Sequence, residues 1–121
     1  MHILYVYQQH STSMTPLPDI LELKADLLRA FAQPTRLKIL NLLCAGERHV
    51  GDICRVVQEG QPTVSRHLAV LHRSGVVSAR KLGLRVLYRI ADEEVVEILN
   101  AVDRMLERQL RLGYSLARKL A

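Results

Sequence analysis

The chain has 121 residues, 49% of them hydrophobic and only 4% aromatic, which fits one domain with an aliphatic core rather than an aromatic-rich β-sandwich. No apolar run is long enough to cross a bilayer, and two cysteines are too few for a disulfide framework or a multi-cysteine zinc module. We therefore expect a cytoplasmic protein without a cofactor. The net charge of +5 is concentrated, because residues 61–90 hold six basic residues and no acidic residue. Such a segment is typical of a surface that binds a polyanion, and a solvated basic surface is the alternative.

The first 18 residues are predicted to be a flexible N-terminal arm. They lack a secretory signal, since their apolar patch is short and no basic region precedes it. Pro16 and Pro18 oppose helix formation. We expect a single folded domain at residues 19–121, and Met14 is an alternative start of the chain.

Two helices are predicted in the next part of the chain. Apolar side chains recur every three or four residues from Ile20, and Pro34 ends this first run. Pro34 also suits the first turn of a second helix, where its missing N–H is not needed. The predicted apolar face of this second helix consists of Leu37, Leu40, Leu43 and Cys44.

A helix-turn-helix arrangement is predicted between residues 48 and 75. An extended stretch at 48–50 leads into a helix at 51–57, and a turn at 58–60 is followed by a helix at 63–73 that Pro62 opens. Two helices joined by a short turn that contains Gly are typical of proteins whose second helix enters the major groove of DNA. The side chains predicted to face the core are Ile53, Val57, Val64, Leu68 and Leu71.

The alternating pattern of β-strands appears next, at residues 76–81 and 85–90, with Gly83 at the turn between them. Arg85, Leu87 and Arg89 fall on one face of the second strand, so this face of the hairpin carries cations. A hairpin in this place is the wing of a winged helix.

A long last helix is predicted after Asp92, which is suited to cap it. A helix of about 28 residues spans about 42 Å, which is longer than a small domain covers. We therefore expect part of its apolar stripe to meet a second chain. The stripe begins at Val95, and the predicted interface residues are Leu99, Val102, Leu106 and Leu110.

These elements predict a mainly α fold with a small β-hairpin, that is, a winged helix-turn-helix with a helical dimer interface. Three segments resemble the arsenic-repressor (ArsR/SmtB) family of small bacterial winged-helix regulators. They read LLRAFAQPTRLKILNLL, VGDICRVV and GQPTVSRHLAVLHRSGVVSARKLGLRVLYRI, and the resemblance covers about residues 20–105. It implies a homodimer that contacts through its first and last helices and acts as a repressor that an inducer releases.

Candidate contacts to double-stranded DNA lie in the fourth helix and the hairpin. Side chains in the first turns of a recognition helix reach base edges, and Arg can bond a guanine with two N–H groups. The free N–H groups at the start of a helix can hold a phosphate, and cations of a wing can lie over the backbone or the minor groove. The candidate residues are Gln61, Thr63, Ser65, Arg66, His67, Arg80, Lys81, Arg85 and Arg89. For His67 and Arg89, a structural role within the domain is the alternative.

The inducer is predicted only in part. The resemblance implies a metal site in many relatives, formed by a Cys-x-Cys pair just before an Asp in the third helix. That Asp matches Asp52, but the ligand positions hold His49 and Gly51, and the last helix has no His or Cys for the family's other site. We therefore predict no metal site. The candidate sensor thiols are Cys44 and Cys54, which are predicted to face the core from two packed helices. Together they could bind a metalloid, or they could react with an oxidant or with reactive sulfur. The alternative is that both are small buried hydrophobic residues.

An enzyme is not expected, because the sequence has no Gly-rich phosphate loop, nucleophile elbow or His-Glu-x-x-His motif. The predicted function is a DNA-binding transcriptional repressor that binds an operator near-palindrome as a homodimer. One alternative is a winged-helix protein-interaction module that keeps only the dimer face, and another is a DNA-binding regulator without a small-molecule sensor. The acid-free segment 61–90 favours DNA binding over the interaction module.

Overall fold

The structure, a computed structural model, describes residues 19–120, except for the side chains of residues 114–117. The predicted N-terminal arm at residues 1–18 lies outside the described residues. The described part of the chain forms five helices and three strands, in the order α1 (Ile20–Phe31), α2 (Pro34–Cys44), β1 (Arg48–His49), α3 (Val50–Val57), α4 (Gln61–Arg73), β2 (Val77–Leu82), β3 (Arg85–Ile90) and α5 (Glu93–Leu120). The predicted winged helix-turn-helix is confirmed.

The ends of the helices follow from local side-chain chemistry. At the start of α1, the Asp19 carboxylate accepts a hydrogen bond of 2.8 Å from the N–H of Leu21. At the start of α2, Oε1 of Gln33 accepts one of 2.8 Å from the N–H of Arg36. Both side chains satisfy N–H groups that have no partner inside the helix. Gln58 ends α3 in the left-handed conformation, with φ of 59°, so a turn of three residues suffices before α4 begins.

One hydrophobic core joins the helices to the base of the sheet. The side chains that α3 and α4 were predicted to turn inward are all buried in it. It also takes side chains from α1, α2, β2 and the first turns of α5, so the helix-turn-helix is held by every other helix of the described chain. The core residues are Ala30, Phe31, Ile39, Leu40, Leu43, Ile53, Val57, Val64, Leu68, Leu71, Val76, Val77, Val95 and Leu99.

The predicted apolar face of α2 is wrong in part. Leu40 and Leu43 are buried as predicted, but Leu37 and Cys44 are exposed, and Ile39 is buried instead. The aliphatic residues of α2 are distributed around all sides of the helix, so their spacing does not indicate which side is buried. The packing of α2 against α3 and α4 makes the selection.

The sheet contains one strand more than the predicted hairpin. β1 pairs antiparallel with β3, with Arg48 opposite Tyr88 and His49 opposite Leu87, and the strand order is β1-β3-β2. Gly83 takes a φ of 63° at the turn of the hairpin, a conformation that glycine adopts without steric cost. Because α3 begins directly after β1, the wing is hydrogen-bonded to the segment that starts the helix-turn-helix.

The long helix α5 is buried only near its start. Val95 and Leu99 lie in the core, whereas Val102, Leu106 and Leu110 are 53%, 50% and 64% exposed. Helix α1 likewise exposes Leu21 and Leu28. The two helices therefore present apolar side chains that the described part of the chain leaves uncovered. Among the described residues, no helix combines the length and the hydropathy that a membrane span requires.

Candidate nucleic-acid interface

The start of α4 offers an exposed polar surface. Gln61, Ser65 and Arg66 are exposed on the side opposite the buried residues of this helix. The first turn contains no acidic residue, and Gly60 at its N-cap supplies no side-chain hydrogen bond. Pro62 has no N–H, and the N–H of Val64 donates to the carbonyl of Gly60 at 3.1 Å. The N–H groups of Gln61 and Thr63 thus have no capping side chain, and the helix dipole favours an anion there.

Arg66 is only weakly tied to its own helix. Its Nη2 lies 3.4 Å from Oγ1 of Thr63, which is a long hydrogen bond. The guanidinium has five N–H donors in a planar fork, so most of them remain available to a partner outside the domain. Thr63 is half-buried beside it.

His67 lies at the boundary between α4 and α2. Its ring is half-buried, and Nη1 of Arg36 lies 3.4 Å from its Nδ1. Burial lowers the pKa of His67, and the charges of Arg36 and Arg66 lower it further, whereas the Glu59 carboxylate acts in the opposite direction. The ring is therefore neutral at pH 7, and one of its two nitrogens faces its own domain.

Arg36 is a functional candidate that sequence reasoning missed. Its Nε donates to the carbonyl of Ala30 at 2.8 Å, and its Nη2 donates to the carbonyl of Arg29 at 2.9 Å. These carbonyls belong to the last turn of α1, where carbonyls lack the N–H partner that a continuing helix would supply. The carbonyl of Arg29 also accepts the N–H of Ala32, at 3.1 Å. The sequence did contain a signal for this role of Arg36. Arg36 lies in the first turn of α2, which begins shortly after α1 ends, so its side chain can reach the last carbonyls of α1.

The cations of the wing divide between its two faces. Arg85, Leu87 and Arg89 lie on one face of β3, as predicted. This face points away from the core, because Tyr88 and Ile90 on the other face pack against it. Cross-strand pairing places Arg80 on this outer face, opposite Leu87. Lys81 stands opposite Val86 and thus belongs to the other face, although it is exposed near the turn of the hairpin.

Two of the wing arginines have partners within the domain. Arg80 binds Glu47 through two hydrogen bonds, Nε to Oε2 at 2.8 Å and Nη2 to Oε1 at 2.7 Å. The hydrogen bonds and charge of Arg80 hold the pKa of Glu47 below its usual range, and Glu47 raises the pKa of Arg80. On the same face, Nε of Arg89 donates to Oγ of Ser78 at 3.0 Å. Sequence reasoning missed Glu47 because it lies 33 residues before Arg80, in the loop after α2.

The remaining wing cations, Lys81 and Arg85, have no hydrogen-bond or ion-pair partner within residues 19–120. Arg85 also lines a cleft of about 220 Å³ between the wing and the start of the helix-turn-helix. Gln61, at the start of α4, lines the same cleft. The structure thus brings together the recognition helix and the end of the wing, which are two of the predicted contact regions.

The metal site that the family resemblance implied does not fit these residues. His49 Nε2 lies 3.1 Å from Oδ2 of Asp52, so the two groups bind each other. Gly51 supplies no ligand atom, and a Cβ at this position would lie 3.0 Å from Cε1 of His49. The described residues contain no group of three or more His, Cys, Asp or Glu side chains that could hold a metal ion.

The two cysteines differ in their surroundings. Cys54 is half-buried and packs against the core, which agrees with its predicted inward position. Cys44 is exposed, so the prediction that it faces the core is wrong, for the same reason as for the rest of the α2 face. Partial desolvation raises the pKa of the Cys44 thiol, which reduces its thiolate fraction at neutral pH.

Comparisons with known proteins point in one direction. A family model described as "Bacterial regulatory protein, arsR family" matches residues 33–79, which include α3 and α4. An uncharacterised HTH-type transcriptional regulator of Methanocaldococcus jannaschii is 41% identical over 87 residues, which cover 69% of this chain and 96% of that protein. The HTH-type transcriptional repressor SmtB of Mycobacterium tuberculosis is 38% identical over 84 residues, which cover 69% of this chain and 62% of that protein.

A solved structure agrees with these sequence matches. It is the solution structure of a homodimeric winged helix-turn-helix DNA-binding domain from Mycobacterium bovis, described as a possible ArsR-family transcriptional regulator. It superposes with a TM-score of 0.71 at 35% sequence identity and covers 80% of this chain and 94% of that chain.

We predict that Glu47→Gln lowers the free energy of unfolding at neutral pH. Because the pKa of Glu47 is lowered in the folded protein, its stabilisation is present above the ordinary carboxyl pKa of 4.5 and is lost as the pH falls through the lower folded value. In urea titrations, the difference between wild type and variant should therefore be largest near pH 7 and vanish in acid. A double-mutant cycle with Arg80→Gln isolates the pair, and strictly additive effects would contradict the coupling.

Proposed function

Because the chain belongs to the arsR family of bacterial regulatory proteins, we propose that it is a transcriptional repressor that binds an operator near-palindrome in double-stranded DNA as a homodimer. It is a transcriptional regulator and not an enzyme. The observation that carries the proposal is the start of α4, which is exposed, uncapped and free of acidic residues, and which shares a cleft with Arg85 of the wing. We propose the cytoplasm as its location, since a repressor acts on the chromosome.

The proposed reading of DNA follows from the exposed groups. Arg66 and Ser65, with Thr63 and His67 beside them, contact base edges in the major groove, while Gln61 and the first N–H groups of α4 hold a phosphate. Lys81 and Arg85 lie along the DNA backbone or minor groove. Arg80, whose charge Glu47 offsets, holds the wing in shape. Arg89 binds the uncharged hydroxyl of Ser78 and therefore still adds positive potential.

The proposed dimer pairs the uncovered faces of α1 and α5. Three features support it: the exposed stripe of α5, the exposed leucines of α1, and the homodimeric state in the description of the Mycobacterium bovis domain. A twofold dimer of winged helices presents two recognition helices to successive major grooves, about 34 Å apart. The proposed interface residues on α5 are Val102, Leu106 and Leu110. Leu99, which was predicted with them, is 7% exposed and lies in the core of its own domain.

The inducer remains a prediction from the sequence. A metalloid, an oxidant or reactive sulfur that acts on Cys44 and Cys54 would move α3 and, with it, α4. The exposure of Cys44 makes it the thiol that a reagent reaches first, whereas Cys54 is shielded by the core. A regulator that responds to no small molecule is the competing proposal.

The first prediction of this proposal concerns base reading. Arg66→Ala should weaken binding to the specific operator by about 1–3 kcal/mol and relax one base position, whereas Arg85→Ala should weaken binding to all sequences alike. Fluorescence anisotropy on operator and scrambled DNA across a salt series measures both effects, and affinity should fall steeply with salt.

Arg73→Ala is the matched control, because it removes the same charge from the other end of the same helix. The proposed reading mode is wrong if Arg66→Ala and Arg73→Ala reduce operator binding equally, or if no variant binds differently from wild type. Absence of DNA binding by the wild type would leave the protein-interaction module.

The second prediction concerns assembly. Leu106→Glu places a charge in the proposed apolar interface and should convert the dimer into monomers, as light scattering at micromolar concentration reports. Leu106 is 50% exposed within one chain, so the variant should keep its helical circular dichroism. Leu84→Glu, at a fully exposed position of the wing, is the control and should remain dimeric. A monomeric wild type would contradict the proposal.

The third prediction tests the thiols. If they sense the inducer, arsenite, polysulfide or diamide should release wild-type protein from DNA, and Cys44→Ser and Cys54→Ser should each blunt the response. Anisotropy of labelled operator follows the release with each reagent in turn. An equal response of all three proteins rules out the thiol sensor.

A further inference from the structure

We propose that Arg36 is a positioning residue that holds His67 in the tautomer with its proton on Nε2, so that His67 meets DNA as a hydrogen-bond donor. The proposal rests on the DNA-binding function proposed above and assigns the chemistry of one group on that surface. It gives α2, which carries none of the proposed DNA contacts, a part in deciding which base atoms α4 reads.

The guanidinium of Arg36 is fixed before it meets His67. Its Nε and Nη2 donate to two successive carbonyls at the end of α1, at 2.8 Å and 2.9 Å. The group is planar, so two fixed nitrogens determine the direction of the third. That third nitrogen, Nη1, points at Nδ1 of His67 from 3.4 Å.

The chemistry of the two partners leaves one arrangement of protons. A guanidinium has only N–H donors and keeps its proton in proteins, so Nδ1 of His67 must be the acceptor in this contact. In a neutral imidazole, the nitrogen that accepts carries no proton and the other nitrogen carries it. Nε2 of His67 is therefore an N–H donor.

The surroundings of His67 keep the ring neutral. The charged groups that act on it are Arg36 from α2, Glu59 from the turn before α4 and Arg66 from α4 itself. Burial and both arginines lower the pKa of His67, and only Glu59 raises it. Glu59 also accepts a hydrogen bond of 3.4 Å from the buried Thr35, so its carboxylate is partly engaged elsewhere.

The tautomer of His67 determines whether its Nε2 bonds hydrogen-bond acceptors or donors of the DNA. Nε2 of His67 has no hydrogen-bond partner among the described residues, and it belongs to the same part of α4 as Ser65 and Arg66. A donor at this place bonds purine N7, guanine O6, thymine O4 or a phosphate oxygen, and it repels the amino groups of adenine and cytosine. The opposite tautomer would reverse this preference.

The test begins with the free wild-type protein, without DNA. In the ¹⁵N-labelled full chain at neutral pH, two-bond ¹H–¹⁵N correlation spectra should show an unprotonated Nδ1 and a protonated Nε2 for His67. In Arg36→Met, which keeps most of the aliphatic stem and removes the N–H donors, the fraction of rings with the proton on Nδ1 should increase. A proton on Nδ1 in the wild type, or an unchanged spectrum in Arg36→Met, overturns the proposal whatever the DNA binding.

Two substitutions of His67 then separate its two nitrogens. His67→Asn keeps an acceptor near the Nδ1 position and lacks the distal donor, whereas His67→Gln keeps a distal amide donor and lacks the proximal acceptor. His67→Asn should lose on the order of tenfold in operator affinity, the size expected for one lost hydrogen bond, while its melting temperature is unchanged. His67→Gln should retain more affinity than His67→Asn.

The outcomes distinguish this inference from the function on which it rests. Equal operator affinity of wild type, His67→Asn and His67→Gln overturns the role of His67 as a DNA-reading donor. Failure of the wild type to bind operator, together with the predicted tautomer in the free protein, overturns the proposed function and leaves the role of Arg36 standing.

Discussion

The burial of three aliphatic side chains on α4 orients the whole candidate interface. Val64, Leu68 and Leu71 have no exposed surface, and they lie on one side of the helix. Exposing a Val or Leu side chain costs about 1.5–3 kcal/mol, so rotating α4 to present another side would cost several times that amount. The outward direction of Gln61, Ser65 and Arg66 is therefore a consequence of the core.

The same residue type serves two different purposes in this domain, and the partners decide which. Arg36 binds two backbone carbonyls, and Arg80 binds the carboxylate of Glu47. Each of these contacts uses two nitrogens of the guanidinium. Such bidentate contacts restrict the direction of the group as well as its place. Arg66 and Arg85 lack comparable partners in the described chain, which leaves their donors for an anion. The positive charge available to bind an anion is thus smaller than the count of basic residues suggests. It lies at Arg66 on α4 and Arg85 on the wing.

The wing is joined to the start of the helix-turn-helix by strand pairing and by an ion pair. His49 pairs with Leu87 of the wing and directly precedes α3, and Glu47, two residues earlier, holds Arg80. A displacement of α3 would therefore carry the wing with it. The uncovered apolar residues of α1 and α5 form the proposed dimer interface, and Arg36 links the end of α1 to His67 on α4. Each proposed function, DNA reading and dimer formation, is thus placed on elements that share one core.

What the sequence determined by itself is the order and type of the elements and the inward faces of α3 and α4. These follow from local chemistry. Pro34, Gly83 and Asp92 determine where neighbouring helices and strands begin or end, and a helix with hydrophobic residues on one side buries that side. Only the tertiary structure decided the buried side of α2 and the exposure of Cys44, since aliphatic residues surround that helix. It also decided the contacts between distant parts of the chain: β1 with β3, Glu47 with Arg80, and Arg36 with His67. The physical reason is that local rules act over one or two turns of chain, whereas these partners are brought together only when the core forms.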